Sequence, residues 1–238
     1  MSITEQLLRP LLKTSSVRPF ITHYDDAAGS RVELSVATTA NWAAKTANWL
    51  VEEVDVEPGD EVAVLLPAHW QTAGILLGAW WCGAHVVTSD VDARIAFVGP
   101  DGTAASAVTA VVALDAMGMG LRTPPADGAL DFLSDVRLAG DDYQALFPIP
   151  GDTLALNSST VDEMVAEARS RAEELGISAG DRVLSTVDWT APGGLLDGLL
   201  APLAAGAHIV QVTNADPAKL ADRRSAERTT VDLLHEVT

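Results

Sequence analysis

The chain has 238 residues, 48% of them hydrophobic, enough for one large domain or two lobes around a substantial core. Fifteen Lys and Arg stand against 33 Asp and Glu, a formal net charge of −18. A field of that sign repels phosphate backbones, so nucleic acid is excluded as a partner unless a local basic patch exists. The candidate patch, Arg223-Arg224 with Arg228, is interleaved with Asp222 and Glu227 and reads as a solvated helix face. The single cysteine, Cys82, excludes an internal disulfide and suits a reducing compartment; between Trp81 and Gly83 it reads as a buried, inert thiol. MSITEQLLRPLLK lacks the order of a secretory signal. The most apolar stretch, AGILLGAWWCGA, is shorter than the roughly 18 apolar residues that span a bilayer. No membrane association is expected, and the expected location is the cytoplasm.

Ser2 to Glu5 has the pattern of a capping box opening a short helix that Pro10 ends or kinks. PFITHYDD and SRVELS, separated by AAG, read as a β-hairpin. Ser35 caps a helix to about Val54, with Trp42, Thr46 and Trp49 on one face. EPGD is a turn and EVAVLL a buried strand; Pro67 opens the apolar helix, Gly83 stops it, and HVVTS is the next strand. Between residues 92 and 150, RIAFVG and TAVVALD read as strands, ALDFLSDVRL as a short helix and MGMGLRTPPADG as a loop. PIPGD at 148–152 is the expected seam between two lobes, about 1–147 and 148–238.

After the seam, ALNSSTVDEMV runs from a strand-like end into a capping box, Thr160 to Glu163. Met164, Val165, Ala168, Ala172 and Leu175 form an apolar helix stripe that Gly176 closes. A SAGD turn, a strand (RVLSTV), a glycine-containing connection (WTAPGG), an apolar helix (LLDGLLAPLAAG) and a strand (HIVQV) follow. The second lobe repeats the first: LVEEVDVEPGDEV…GAHVV matches AEELGISAGDRV…GAHIV, with Gly59 to Gly83 spanning 24 residues and Gly180 to Gly206 spanning 26. The expected fold class is therefore α/β, two similar and mostly parallel sheet lobes with flanking helices.

The segments GDEVAVLLPAHWQTAGILLGAWWCGAHVV, GDRVLSTVDWTAPGGLLDGLLAPLAAGAHIVQV and DPAKLADRRSAERTTV together resemble the N-terminal region of adenylate-forming enzymes, the acyl-CoA synthetases and their relatives. The resemblance covers roughly residues 20–90 and 150–231 and implies a shortened form of that N-domain. Family members join a carboxylate to AMP and usually pass the acyl group to a thiol. That chemistry implies a Gly/Ser/Thr-rich phosphate loop with a lysine, an acid for Mg²⁺, a ribose aspartate and a lid lysine. Where the phosphate loop belongs, this sequence reads Asn157-Ser158-Ser159-Thr160, a deletion closed by a helix cap. The Pro-aromatic-His segment of the acyl pocket reads Asp188-Trp189-Thr190-Ala191, with Ala191 at the His position. The chain stops at Thr238, ahead of the family's later motifs, with a strand expected to be missing after the last helix and an open sheet edge in its place.

The five histidines (His23, His69, His85, His208, His235) have no metal-ligand spacing; His85 and His208 occupy equivalent turn positions of the repeat. Gly118 and Gly120 open no helix, and the Asp25-Asp26 and Asp141-Asp142 pairs lie in turns. No catalytic residue, metal or cofactor is assigned. The candidate ligand pocket combines Trp189, Ala191, Gly193, Gly194 and Trp70, while Trp80 and Trp81 read as core. The leading expectation is a non-catalytic derivative of the adenylate-forming domain that binds a nucleotide, acyl or CoA-type ligand or a protein partner. The alternatives are half of a split ligase completed by another chain, and an interaction protein without small ligand that forms a homo-oligomer.

Overall fold

The fold is described from a computed structural model of residues 1–126, 128–190 and 192–234. Ser2 caps α1 (Ile3–Leu7) through the expected capping box with Glu5, and α2 (Arg9–Ser15) restarts with Pro10 in its first turn, where a missing N–H costs nothing. The strands β1 (Pro19–Asp25) and β2 (Ser30–Ser35) form the antiparallel hairpin. Ser35 caps α3 (Val36–Glu53), and β3 (Glu61–Leu65) follows. The apolar helix α4 (Trp70–Trp81) begins three residues after Pro67, on a His69 cap, and every one of its twelve residues is buried. A helix that is apolar all round belongs inside a core; α4 touches α1, α3, β1, β3 and β4. It approaches α3 closely through glycine. A Cβ on Gly78 would lie 2.5 Å from Thr46 Cβ and 2.7 Å from the Ala43 carbonyl oxygen.

Then come β4 (His85–Val87), β5 (Ile95–Val98), β6 (Val108–Val111), β7 (Leu130–Asp131) and α5 (Phe132–Val136). Strands β8 (Leu154–Leu156) and β9 (Ser159–Thr160) form a tight hairpin before α6 (Val161–Glu174), which Thr160 and Glu163 cap reciprocally. Beyond β10 (Arg182–Ser185), the apolar helix changes pitch: α7 (Pro192–Leu195), a π-helical turn at Leu196–Leu200, and α8 (Ala201–Ala205). The chain continues through β11 (His208–Thr213), a 3₁₀ turn at Pro217–Lys219, α9 (Leu220–Glu227) and β12 (Val231–Leu233).

Twelve described strands make two sheets, ordered β7-β6-β5-β3-β4-β8-β9 and β12-β10-β11-β1-β2. Both are parallel apart from the edge hairpins β8–β9 and β1–β2, so the α/β class with flanking helices holds. Sheet membership crosses residue 148 in both directions. The N-terminal hairpin pairs through β1 with β11, and β8 pairs with β4. One apolar core, from Ile3 to Ile209, runs between the sheets and includes α4.

The two sequence repeats fold alike. Glu61 faces His85 and Arg182 faces His208 in the strand register. His85 N–H donates to the Asp60 carbonyl at 2.8 Å, and His208 N–H to the Asp181 carbonyl at 2.9 Å. Gly59 and Gly180 both hold positive φ, 95° and 90°, as the turn before each strand demands. Each first strand also gains a parallel neighbour, β5 beside β3 and β12 beside β10. The strand expected to be missing after α9 is thus present as β12; three residues were too short for a periodic signal. The basic patch is solvated only in part: Asp222 and Arg228 are exposed, while the other members are paired or buried. Arg223 binds Asp26 at 2.7 Å, Arg224 binds Asp232 at 2.7 Å, and Glu227 is 4% exposed.

Candidate functional site

In parallel α/β sheets the strand carboxyl ends leave a crevice where ligands bind. Here the ends of β3, β10 and β11 border a groove of ≈ 340 Å³, whose lining includes Pro67, Ala68, Val187, Asp188, Gln211 and Thr213. That volume falls in the range of small-ligand pockets. A cavity of ≈ 1000 Å³ lies elsewhere, at the outer β6–β7 edge, lined by residues 100–104, 106–109, 121–126 and 128–130 among others. Its described lining contains no buried, unpartnered polar atom, whereas the strand-end groove has one in Gln211 Oε1.

The inner wall of the groove is polar and dry. Gln211 is 1% exposed; its Nε2 donates to the Val187 carbonyl at 3.0 Å, while its Oε1 has no partner among the described residues. That carbonyl fixes the amide orientation, because the opposite flip would set two oxygens against each other. Beside it in the strand register stands His23, also 1% exposed. Thr213 Oγ1 gives its proton to the Tyr24 carbonyl at 3.2 Å, so at 3.0 Å the His23 Nε2–H must be the donor to that oxygen. His23 Nδ1 is left as a second buried acceptor without a partner. The His69 ring stands edge-on to His23, centroids 4.3 Å apart, and its Nδ1 accepts the Gln71 N–H at 3.1 Å as the cap of α4. Burial pushes His23 down to about 4 against the opposing charge of Asp25. Burial, with His23 adding to it, holds His69 well below the usual range. Both rings are neutral at physiological pH, and each unmet buried acceptor costs about 1–3 kcal/mol.

The sequence-derived pocket residues fall around this wall in three places. Trp70 is buried on the far side of His69, rings 5.6 Å apart, and packs on Trp42. Trp189, next to the groove residue Asp188, is 4% exposed and lies over Gly198, where a Cβ would strike the indole at Nε1. The indole N–H groups of Trp70 and Trp189 are themselves buried without partners among the described residues. Gly194 packs on the Asp188 carbonyl oxygen too closely for any side chain. Gly193 lines a separate cavity of ≈ 230 Å³ with Asn157, Ser158, Ser159 and Pro192. Ala191 lies outside the described residues, as does His235. Trp80 and Trp81 are core: Trp80 Nε1 donates to the Ala155 carbonyl at 2.8 Å, and Trp81 stacks edge-on with Tyr143. Cys82 is buried, and burial pushes its thiol up to about 12.

Sequence reasoning missed His23, His69 and Gln211 as a group. One signal for Gln211 was available: a lone amide inside the apolar strand HIVQV. Among the described residues no three His, Cys, Asp or Glu side chains gather as a metal-ligand set, and no described helix is long and apolar enough to cross a membrane.

The stretch 155–165 has a plain geometry. Leu156 pairs with Ser159 across a two-residue turn, and Asn157 takes positive φ (49°). Asn157 N–H is spent on the Val86 carbonyl at 3.0 Å, Val161 N–H on Thr153, and the Thr160 and Glu163 N–H groups on the reciprocal cap. A phosphate-gripping loop needs free, converging N–H groups, and these are already bonded.

No protein-family model matches the chain. Its fold is that of acyl-CoA synthetase N-terminal domains. An acyl-CoA synthetase from Brucella canis superposes with a TM-score of 0.81 at 16% identity, over 98% of this chain and 47% of that one. The anthranilate CoA ligase AuaEII, in complex with anthranoyl-AMP, gives 0.78 at 15% identity over 98% and 49%. The N-terminal domain of FACL13 from Mycobacterium tuberculosis gives 0.73 at 18% identity over 98% and 62%. The chain spans about half the length of the two synthetases. A protein of Mycobacterium tuberculosis described as a TIGR03089 family protein is 42% identical over 239 aligned residues, which cover 96% of this chain and 97% of that protein. Identity of that extent, on a fold with its groove at the strand carboxyl ends, makes the chain a member of the TIGR03089 family.

Proposed function

We propose that the chain is a small-ligand-binding derivative of the adenylate-forming N-domain that does not itself form acyl-adenylates. The observation that carries this reading is the β8–β9 hairpin. Where the resemblance implies a phosphate loop, two turn residues lead into a capped helix whose first N–H groups are bonded internally. The strand-end groove, with the unmet acceptor of Gln211 in its lining, supports retained binding. The hairpin also weighs against half of a split ligase, because a second polypeptide cannot insert a loop into a two-residue turn.

Two measurements on the purified chain test the reading. Carboxylate-dependent pyrophosphate release from ATP is expected to be at background. Thermal unfolding with ATP, AMP, CoA and a medium-chain acyl-CoA is expected to show stabilisation by at least one of them. A ligand at about 100 times its Kd adds about 2.7 kcal/mol, a rise of roughly 5–11 °C for a chain of this size. Pyrophosphate release above background would overturn the non-catalytic half.

A second reading, docking of a protein partner, is favoured by the stretch after α5, where Leu138, Leu146 and Phe147 are 90%, 93% and 78% exposed. Apolar side chains so exposed mark interaction surfaces when they adjoin.

A further inference from the structure

We propose that the strand-end groove takes a neutral ring-sized ligand that presents an N–H or O–H donor, such as a primary carboxamide, to Gln211 Oε1, and that it rejects the corresponding carboxylate. The inference rests on the reading of this groove as a ligand site and goes on to name the ligand class.

Three independent features of the wall set the polarity. Gln211 lines the groove, is 1% exposed, and has its Nε2 committed to the Val187 carbonyl, so only its oxygen faces an unmet need. The neighbouring His23 is committed in the same sense. Its proton goes to Thr213 Oγ1, another lining residue, and its Nδ1 stays an unpartnered acceptor behind the wall. The third feature is the mouth. Among the described residues the lining holds no lysine or arginine, and its one ionisable group is Asp188. A carboxylate or phosphate entering would meet acceptors and a negative charge in a chain of formal charge −18. A donor would instead meet Gln211 Oε1, an acceptor whose desolvation has already been incurred on folding. Beside the polar Thr186 and Asn214, the lining residues Pro67, Ala68, Val187, Val212 and Ala215 are apolar and suit a flat ring.

Benzamide and benzoate are nearly isosteric and differ in donor capacity and charge, so they separate the alternatives. Binding of each to the full chain is measured by titration calorimetry or saturation-transfer NMR at pH 7, alongside a Gln211→Met variant. Methionine keeps the length of the side chain and removes its amide. The expected result is saturable benzamide binding, benzoate at least tenfold weaker, and benzamide about tenfold weaker in Gln211→Met, the loss of one hydrogen bond. Thermal unfolding of the variant establishes that it is folded; the benzamide and benzoate comparison in the unaltered chain stands independently of it. Benzoate binding as well as benzamide, in a manner sensitive to Gln211→Met, would overturn the donor assignment and leave the ligand-site reading intact. Benzamide binding unaffected by Gln211→Met would place the ligand elsewhere and overturn the inference. Failure of both probes, together with no stabilisation by the nucleotide and acyl ligands above, would overturn the inference and the ligand-site reading together.

Discussion

Glu227 shows how a single side chain on α9 ties three segments of the fold. Its carboxylate accepts Arg31 Nε at 2.9 Å, Arg182 Nη2 at 2.8 Å and the Tyr24 hydroxyl at 2.6 Å. Burial works to raise its pKa, but the hydrogen bonds from Arg31 and Tyr24 and the two positive charges outweigh burial and hold it below the usual range. Removing one partner of a buried ion pair leaves the others uncompensated. Glu227→Gln is expected to cost about 1–3 kcal/mol, less than a fully buried pair because Arg31 and Arg182 are partly exposed, read as a lower urea midpoint at unchanged m-value. A loss under 0.5 kcal/mol would mean that solvent already screens the cluster. Neither the burial nor the convergence was legible in the sequence, where Glu227 looks like any acidic residue of an Arg-rich helix.

At the scale of elements, local chemistry and close packing divide the work. The caps at Ser2, Ser35 and Thr160 each bond the N–H three residues on, as their sequence patterns indicate. The packing of α3 on α4 depends instead on Gly74 and Gly78, one turn apart on the face toward α3, where Cβ atoms would press on Trp42 and Thr46. Gly78→Ala improves intrinsic helix propensity by about 1 kcal/mol. It is nonetheless expected to destabilise by about 1–3 kcal/mol net, because its methyl group meets backbone and a branched side chain in a closed core. Equilibrium unfolding decides the sign, and a stabilised variant would mean that the two helices separate at little cost. Within the π-helical turn at Leu196–Leu200, Gly198 likewise makes room for the indole of Trp189.

For the molecule as a whole, the buried histidines set the response to acid. Burial pushes His208 down to about 4, helped by the nearby Arg182 charge and opposed by Glu33 and Glu227, and burial does the same to His23. In the unfolded chain each titrates near 6.5. Between those values the unfolded state binds more protons than the folded one. Their contribution is therefore fully present above about pH 6.5 and is lost as pH falls toward 4. Asp25, Asp26 and Glu227, held low by their partners, extend the loss in the same direction below the carboxylate range. Stability is expected to fall by on the order of 4 kcal/mol per pH unit near pH 5, with His23, His69 and His208 taking up protons on unfolding. A His208→Gln variant, which can keep the bond to Thr22, is expected to flatten that slope by about a third. An unchanged slope in the variant would place the proton uptake elsewhere.

The amino-acid sequence by itself determined the local units: the capped helices, the glycine turns, and the twice-used order of strand, apolar helix and Gly-Ala-His strand. These signals act over a few residues, through backbone sterics and hydrogen bonds that need no distant partner. It also determined that the Asn157-Ser158 turn leads straight into a cap. Which sheet each strand joins was decided by the tertiary structure. The β1–β2 hairpin crosses to β11, and the three residues of β12 gain their place only because β10 offers an unpaired edge. The wall of the groove arose in the same way. His23, His69 and Gln211 come from three separate segments, and only pairing and packing over long sequence separations bring the two rings and the unmet atoms of His23 and Gln211 together. Such pairings depend on complementary faces meeting in space, which a periodic pattern along the chain does not encode.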